Sequence, residues 1–465
     1  MSNTEELNDS LEQAMQPEAE RVQEASSMSH DEAMDALDSF DGFEELLAPL
    51  VDDLDKFSPG KERKKQRYLD DEDGEQERAQ LKGKLEAILA FLKNPELQSH
   101  KDIRGAAQKK LDENESLIND NIDRALKASF DLERTYREMH TFYANAAPLK
   151  TKNVTLFSVN PEATNDADSD LVYNAISEKL LHEAKSVDQR KAFSTLVIPG
   201  LWQSKRPKDL VERYAKLCGE ARMSFLTDFE DVDSVQDTIE EAESKRWKGF
   251  GGPEAYHSKL VMFANHMLLR GAHDGLKSDR EMRGSVAMAV AGKMYAEKVS
   301  QPVMGEKHGA LSNSQGLAFR TNQEEVTDIS ELGINSTMSA YDKDMIYDSC
   351  TAFNGGEYAL KRYPVVRTFD YVNRVLRHFL GRVTGQQLDQ AKANQVRETI
   401  QDFLNQLAEQ KIITSGKVAK FAWNKSTPDR IDVDVDIQPL WAVRTFVYKL
   451  KAAKGSDVES DMSAK

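Results

Sequence analysis

Cysteine is almost missing from this chain: 465 residues hold two, Cys218 and Cys350. That excludes a disulfide-stapled fold and reads instead as two small buried apolar groups in a reducing compartment. Long apolar runs are missing as well. No stretch approaches the roughly 20 residues that span a bilayer, and the acidic opening Met1–Leu11 has no signal-peptide core. A cytoplasmic protein without membrane insertion is expected. Positive charge is the third shortage, with 62 Lys+Arg against 79 Asp+Glu and a net charge of −17. The deficit is local: Met1–Gln80 carries 24 acidic and 8 basic residues, and the rest 55 and 54. No net basic face is left for nucleic acid. A near-neutral body behind an acidic leader does not repel copies of itself, which suits self-assembly.

Signatures of catalysis are equally scarce. The chain has no Gly-rich phosphate loop and no internal repeat. His257, His266 and His273 are nine and seven residues apart, whereas a helical ligand pair needs three or four. Asp432, Asp434 and Asp436 invite a calcium reading, but an EF-hand loop begun there would need Gly and Glu where Ile437 and Val443 stand. Cys218 and Cys350 have no neighbouring His, and His378 sits on the apolar face of Phe369, Val372, Val375 and Phe379 as a core histidine does. The expectation is no catalytic residue, no metal and no cofactor.

What is present is organisation. Residues 1–75 are acidic and rich in Ser, Gln and Met, a leader of mobile composition. Within it Leu37, Phe40, Phe43, Leu46, Leu47, Leu50, Val51 and Leu54 recur at helical spacing, making an amphipathic docking candidate. Residues 76–150 read as helical. Residues 151–410 alternate strand and helix, with strands expected at Val154–Val159, Phe193–Ile198, Leu317–Phe319, Ile334–Ser339 and Met345–Asp348. Helices are expected at Leu171–Glu183, Lys208–Leu217, Val232–Arg246, Pro253–Met267, Ser285–Val299, Val365–Leu380 and Gln386–Gln410. Such alternation predicts an α/β (α+β) core. Residues 411–452 hold three strand-like runs, Val418–Trp423, Ile431–Gln438 and Val443–Leu450, and 453–465 read as a disordered tail. In the middle run Ile431, Val433, Val435 and Ile437 face one way, with Asp432, Asp434, Asp436 and Gln438 opposite. That is a strand with one buried face.

Several segments resemble, in order, the large sheath subunit of the type VI secretion system, the TssC/VipB family. Asn153–Val154–Thr155–Leu156 takes the place of the family's first core strand, and Leu196–Gly200 that of its "I-V-G-x-Y" strand, with Trp202 departing from it. Trp247 and Phe250, Tyr256, then Leu268–Leu269–Arg270 are similar to its Trp-x-Ser-Phe-Arg segment and the Leu-Arg run that follows. Gly251 stands where the family has Arg. Asp328, Glu331, Leu332 and Gly333 match a further segment, and Asn373–Arg374 with His378–Phe379 resembles its Arg…His helix. The late strands match in layout, with Gln438–Pro439–Leu440–Trp441 after the alternating one.

The resemblance implies a contractile-sheath fold and a structural role. A small sheath subunit (TssB/VipA type) would pair with the chain. The pair would polymerise around an inner tube protein on a baseplate, and an AAA+ unfoldase would recycle the contracted sheath through the leader. Inter-subunit strand pairing would then fall on Ile431–Ile437 with Val443, Phe446, Val447 and Tyr448. Two alternatives stay open: a sheath of a phage-tail or extracellular injection device, and a soluble α/β enzyme.

Overall fold

The computed structural model describes residues 75–95, 97, 99–146, 154–157, 170–201, 204, 206–247, 250–273, 276, 279–427, 429–444, 447–450 and 460–463. The amphipathic run Leu37–Leu54 lies outside them. The chain divides into two units, Met1–Arg124 and Ala125–Lys465. The first contains α1 (Glu75–Leu92) and the beginning of the 47-residue helix α2 (His100–Ala146). Leu111, Leu117 and Ile118 of that helix are exposed.

The second unit is built on a five-stranded sheet of order β1 (Thr195–Val197), β2 (Ser224–Asp228), β3 (Leu260–Ala264), β6 (Ile334–Ala340) and β7 (Lys343–Ile346). The first four strands run parallel, with Leu196 opposite Phe225 and Met262 opposite Ile334; β7 returns antiparallel. Parallel strands need crossovers, and helices supply them. Between β1 and β2 runs α4 (Pro207–Ala221), which follows α3 (Leu171–Lys185) in the helix order. Proline at its first turn suits the helix start. Val211, Tyr214, Ala215, Cys218 and Ala221 form its buried stripe, which is three- and four-residue spacing. After β3 come β4 (Met267–Arg270), β5 (Met282–Gly284) and α6 (Val286–Ala296), whose Ser285 cap accepts from Met288 N at 3.1 Å. The short α5 (Val235–Glu243), α7 (Gly305–His308) and α8 (Gln323–Glu331) complete the central region.

Two apolar cores lie on the two faces of the sheet. Leu260, Met262 and Ala264 join α3 and α4 on one side, while Val261 and Phe263 join α6 on the other. This explains a misreading. Pro253–Met267 is expected as a helix, but it forms a short 3₁₀ turn (Ala255–Lys259), then β3 and the start of β4. A strand covered on both faces is apolar at every position, so no period distinguishes it from a helix. β2 (Ser-Phe-Leu-Thr-Asp) is buried throughout, shows no alternation of apolar and polar residues, and escapes the sequence reading. Residues 154–157 are described without strand pairing, against the expected strand at Val154–Val159. Near Leu317 the described residues form one bridge, to Met267.

The last part of α2 packs on α6 through a glycine. A Cβ at Gly292 would stand 2.3 Å from Phe142 O and 2.9 Å from Asn145 Cβ. Gly292→Ala must therefore push two helices apart, and we expect a loss of about 1–3 kcal/mol in chemical denaturation. An unchanged midpoint would show that this contact yields freely.

Candidate assembly surface

The C-terminal region begins with α9 (Tyr363–Val383) and α10 (Gln390–Glu409), the latter capped by the Asp389 side chain on Lys392 N at 2.8 Å. Lys411, at φ 56°, turns the chain out of α10 into β8 (Ile413–Trp423). A turn follows, and β9 (Ile431–Pro439) returns antiparallel beside β8. An isolated hairpin is marginal in water, so its support matters. Ile413 and Val418, with partly buried Phe421, Val433, Val435 and Ile437, pack on Val372, Ile400, Leu404 and Leu407 of the two helices. Asp434, Asp436 and Gln438 are exposed. The alternation read from sequence thus divides helix-facing from solvent-facing residues.

The hairpin's two outer edges differ. Gln401 on α10 lies along β8, donating from Nε2 to Gly416 O at 3.0 Å and accepting from Val418 N at 3.0 Å. Its amide occupies main-chain groups that a third strand would use. Among the described residues no further strand pairs with the outer edge of Ile431–Gln438. An uncovered strand edge is a template for pairing.

The aspartate stripe is matched inside the hairpin. Asp436 lies 3.4 Å from Lys417, and Asp432 lies 2.7 Å from Arg430 and 3.8 Å from Lys420. Hydrogen bonds from Asn424 and Arg430 hold the Asp432 carboxyl below its usual range. Such exposed pairs contribute little stability. Among the described residues no group of three His, Cys, Asp or Glu is placed to hold a metal ion.

Other expectations for this region change. The three late strands do not form one sheet: β10 (Val447–Leu450) pairs with β11 (Ser460–Ser463), Val447 opposite Ser463 and Tyr448 opposite Met462. Part of the expected disordered tail is therefore a strand. Val443 is exposed outside any strand, since Pro439 has already ended the ladder. Phe446 lies outside the described residues. The connector after β9 is tied back to the body by Arg444, whose Nη2 donates to Ser330 Oγ at 2.9 Å and to buried Asp348. Arg362 reaches the same carboxylate at 2.7 Å.

The remaining singled-out residues are internal. Trp247 is fully buried, 5.0 Å from the Phe229 ring and 6.1 Å from that of Phe250. Arg270 joins α2 to β4 through Glu133 at 3.1 Å and Asp279 at 3.0 Å, and its hydrogen bonds hold the Asp279 carboxyl well below the usual range. Arg374 donates to Phe193 O at 3.2 Å. These groups hold the interior of the body together. Cys218 and Cys350 are both buried and unpaired, and burial pushes both thiols up. Sequence reading missed Gln401, Asp348 and Arg444. A glutamine on a helix carries no signal, and Arg444 and Asp348 are 96 residues apart.

Comparisons with known proteins bear on the same regions. The family described as type VI secretion system TssC/VipB, central domain, matches residues 124–354. The TssC/VipB-like C-terminal domain matches 362–464 and the TssC/VipB-like N-terminal region 30–122. No curated protein matches the chain. Among solved structures, the sheath complex of an extracellular contractile injection system (PVC) in its contracted state is 13% identical, covering 60% of this chain and 80% of that one at a TM-score of 0.45. The anti-feeding prophage baseplate is 13% identical over 65% and 84%, at 0.42. A sheath tail protein from Desulfitobacterium hafniense is 11% identical over 50% and 60%, at 0.31. Scores this low carry no argument of their own. Three family matches in chain order cover most of the sequence, and by them the chain belongs to the TssC/VipB family of the type VI secretion system, as a structural subunit of its contractile sheath.

Proposed function

We propose that this subunit works in the cytoplasm, without catalysis, as the large partner of a small TssB/VipA-type sheath protein. The heterodimers polymerise around an inner tube protein from a baseplate. The observation that carries this reading is the edge of β9, unpaired among the described residues, on a hairpin whose other edge Gln401 occupies. Added strands bind through main-chain hydrogen bonds, and the alternating faces of Ile431–Gln438 fix register, because a slip of one residue would turn aspartates toward the helices. A neighbour's strand laid on this edge makes a heterologous contact, which propagates as a helical tube when it does not close. Contraction is then a rigid-body exchange between two packings, with paired strands as tethers. The leader's run Leu37, Phe40, Phe43, Leu46, Leu47 and Leu50 is our candidate for AAA+ unfoldase docking.

Co-expression with the small partner tests the reading. Electron microscopy should show tubules from the pair and none from the chain alone. A monodisperse, soluble pair that never polymerises would overturn it, and tubules from the chain alone would favour a sheath that needs no small partner.

A further inference from the structure

Where α9 crosses the beginnings of β1 and β2, the body contains a cavity of about 180 Å³. Ser194 and Ser224 border it from the sheet, Glu297 from just beyond α6, and Arg367, Asp370 and Arg374 from α9. Its carboxylates are already engaged. Asp370 takes Lys259 Nζ on both oxygens, at 2.8 and 2.6 Å, and Glu297 lies 2.8 Å from His308 Nδ1. The arginines are not so matched: among the described residues neither makes an ion pair. Arg367 Nη2 donates to Met294 O and Arg374 Nη1 to Phe193 O, both at 3.2 Å. Arg367 Nη1 is buried with no hydrogen-bond partner among the described residues.

A buried cation without a counter-charge is costly. Burial pushes the Arg367 guanidinium down to about 10, and its neighbour Arg374 pushes the same way. Lys259, Arg367 and Arg374 together outnumber the two carboxylates, so the cavity holds excess positive charge. Two guanidinium groups lining one small space offer the forked donors that an oxyanion takes through charge-assisted hydrogen bonds. Size narrows the class. About 180 Å³ is room for one small anion with several waters.

We propose that this cavity binds a small tetrahedral oxyanion of the phosphate class, held by Arg367 and Arg374 with the hydroxyls of Ser194 and Ser224 at its edge. The site joins two parts of the chain, since Ser194 and Ser224 lie in the central-domain match and both arginines in the C-terminal one. A bound anion would cross-link α9, and through it the hairpin's support, to the central sheet.

Calorimetric titration of inorganic phosphate into the full chain at constant ionic strength tests this, with Arg367→Gln, Arg374→Gln and Arg374→Lys alongside. One saturable site is expected in the parent, weakened about tenfold or more by either glutamine and less by lysine. Where Arg367→Gln fails to fold, the two Arg374 variants carry the comparison. No saturable binding in the parent, or equal binding in parent and Arg374→Gln, would overturn the site and leave those arginines to water.

Discussion

Tubules should disappear when Val435 is replaced by proline, while the body of the chain stays folded. Val435 lies opposite Val418 in the ladder. Val418 N points to Gln401, so this is a pair whose main-chain groups face away from each other in an antiparallel ladder. The N–H of Val435 therefore points outward, where an incoming strand would accept it. Proline removes that donor and sets its ring in the path of the neighbour, yet spares the bonds to β8. Each subunit loses about 1 kcal/mol from the missing hydrogen bond alone, repeated at every joint. Asp436→Pro is the contrasting variant. Asp436 is the residue next to Val435 and lies opposite Lys417, so its N–H belongs to the internal ladder and the hairpin itself should open. Micrographs of co-expressed pairs and melting curves separate the two effects. Normal tubules from Val435→Pro would remove β9 from assembly.

The second large effect concerns pH. Glu138, on the part of α2 that packs on α6, is buried with Asp228 nearby; it accepts from Ser285 N at 3.3 Å and lies 3.4 Å from Arg134. Burial is the main cause that lifts its carboxyl from 4.5 to about 7, with Arg134 opposing and Asp228 adding to it. The folded state then binds a proton that the unfolded state has released. Stability is full below the unfolded value of 4.5 and falls as pH rises to about 7, by roughly 3 kcal/mol in all. Glu138→Gln removes the charge and keeps an acceptor. It should be more stable than the parent by about that amount near pH 8, an advantage that shrinks toward pH 5. Urea midpoints at the two pH values measure this, and parallel curves for the two proteins would exclude Glu138 as the cause.

Legibility followed physical contrast between the faces of each element. α9, α10 and β9 have one covered face and one wet face, so their periods appear in the residue order. Strands β2 and β3 have two covered faces and no period, and the residue order of β3 matches a helix as well as a strand. The hairpin was legible because Ile431–Gln438 alternates, but the choice of its open edge was not. That choice depends on Gln401, a polar helix residue whose role arises from tertiary placement 15 residues before its acceptor at Gly416. The pairing of β10 with β11 was equally hidden, because Ser460–Ser463 has no strand-like composition. The cavity beside Arg367 and Arg374 escaped too, since arginines seven apart on a helix usually mark a solvated face.

The glutamine amide on β8 has one more consequence, for stoichiometry. A hairpin with two open edges can recruit strands without limit, as stacked fibrils do. With Gly416 and Val418 already occupied, the proposed pairing leaves this hairpin a single edge, that of β9. On that proposal each hairpin would take a single visiting strand, which caps the joints it can make per layer.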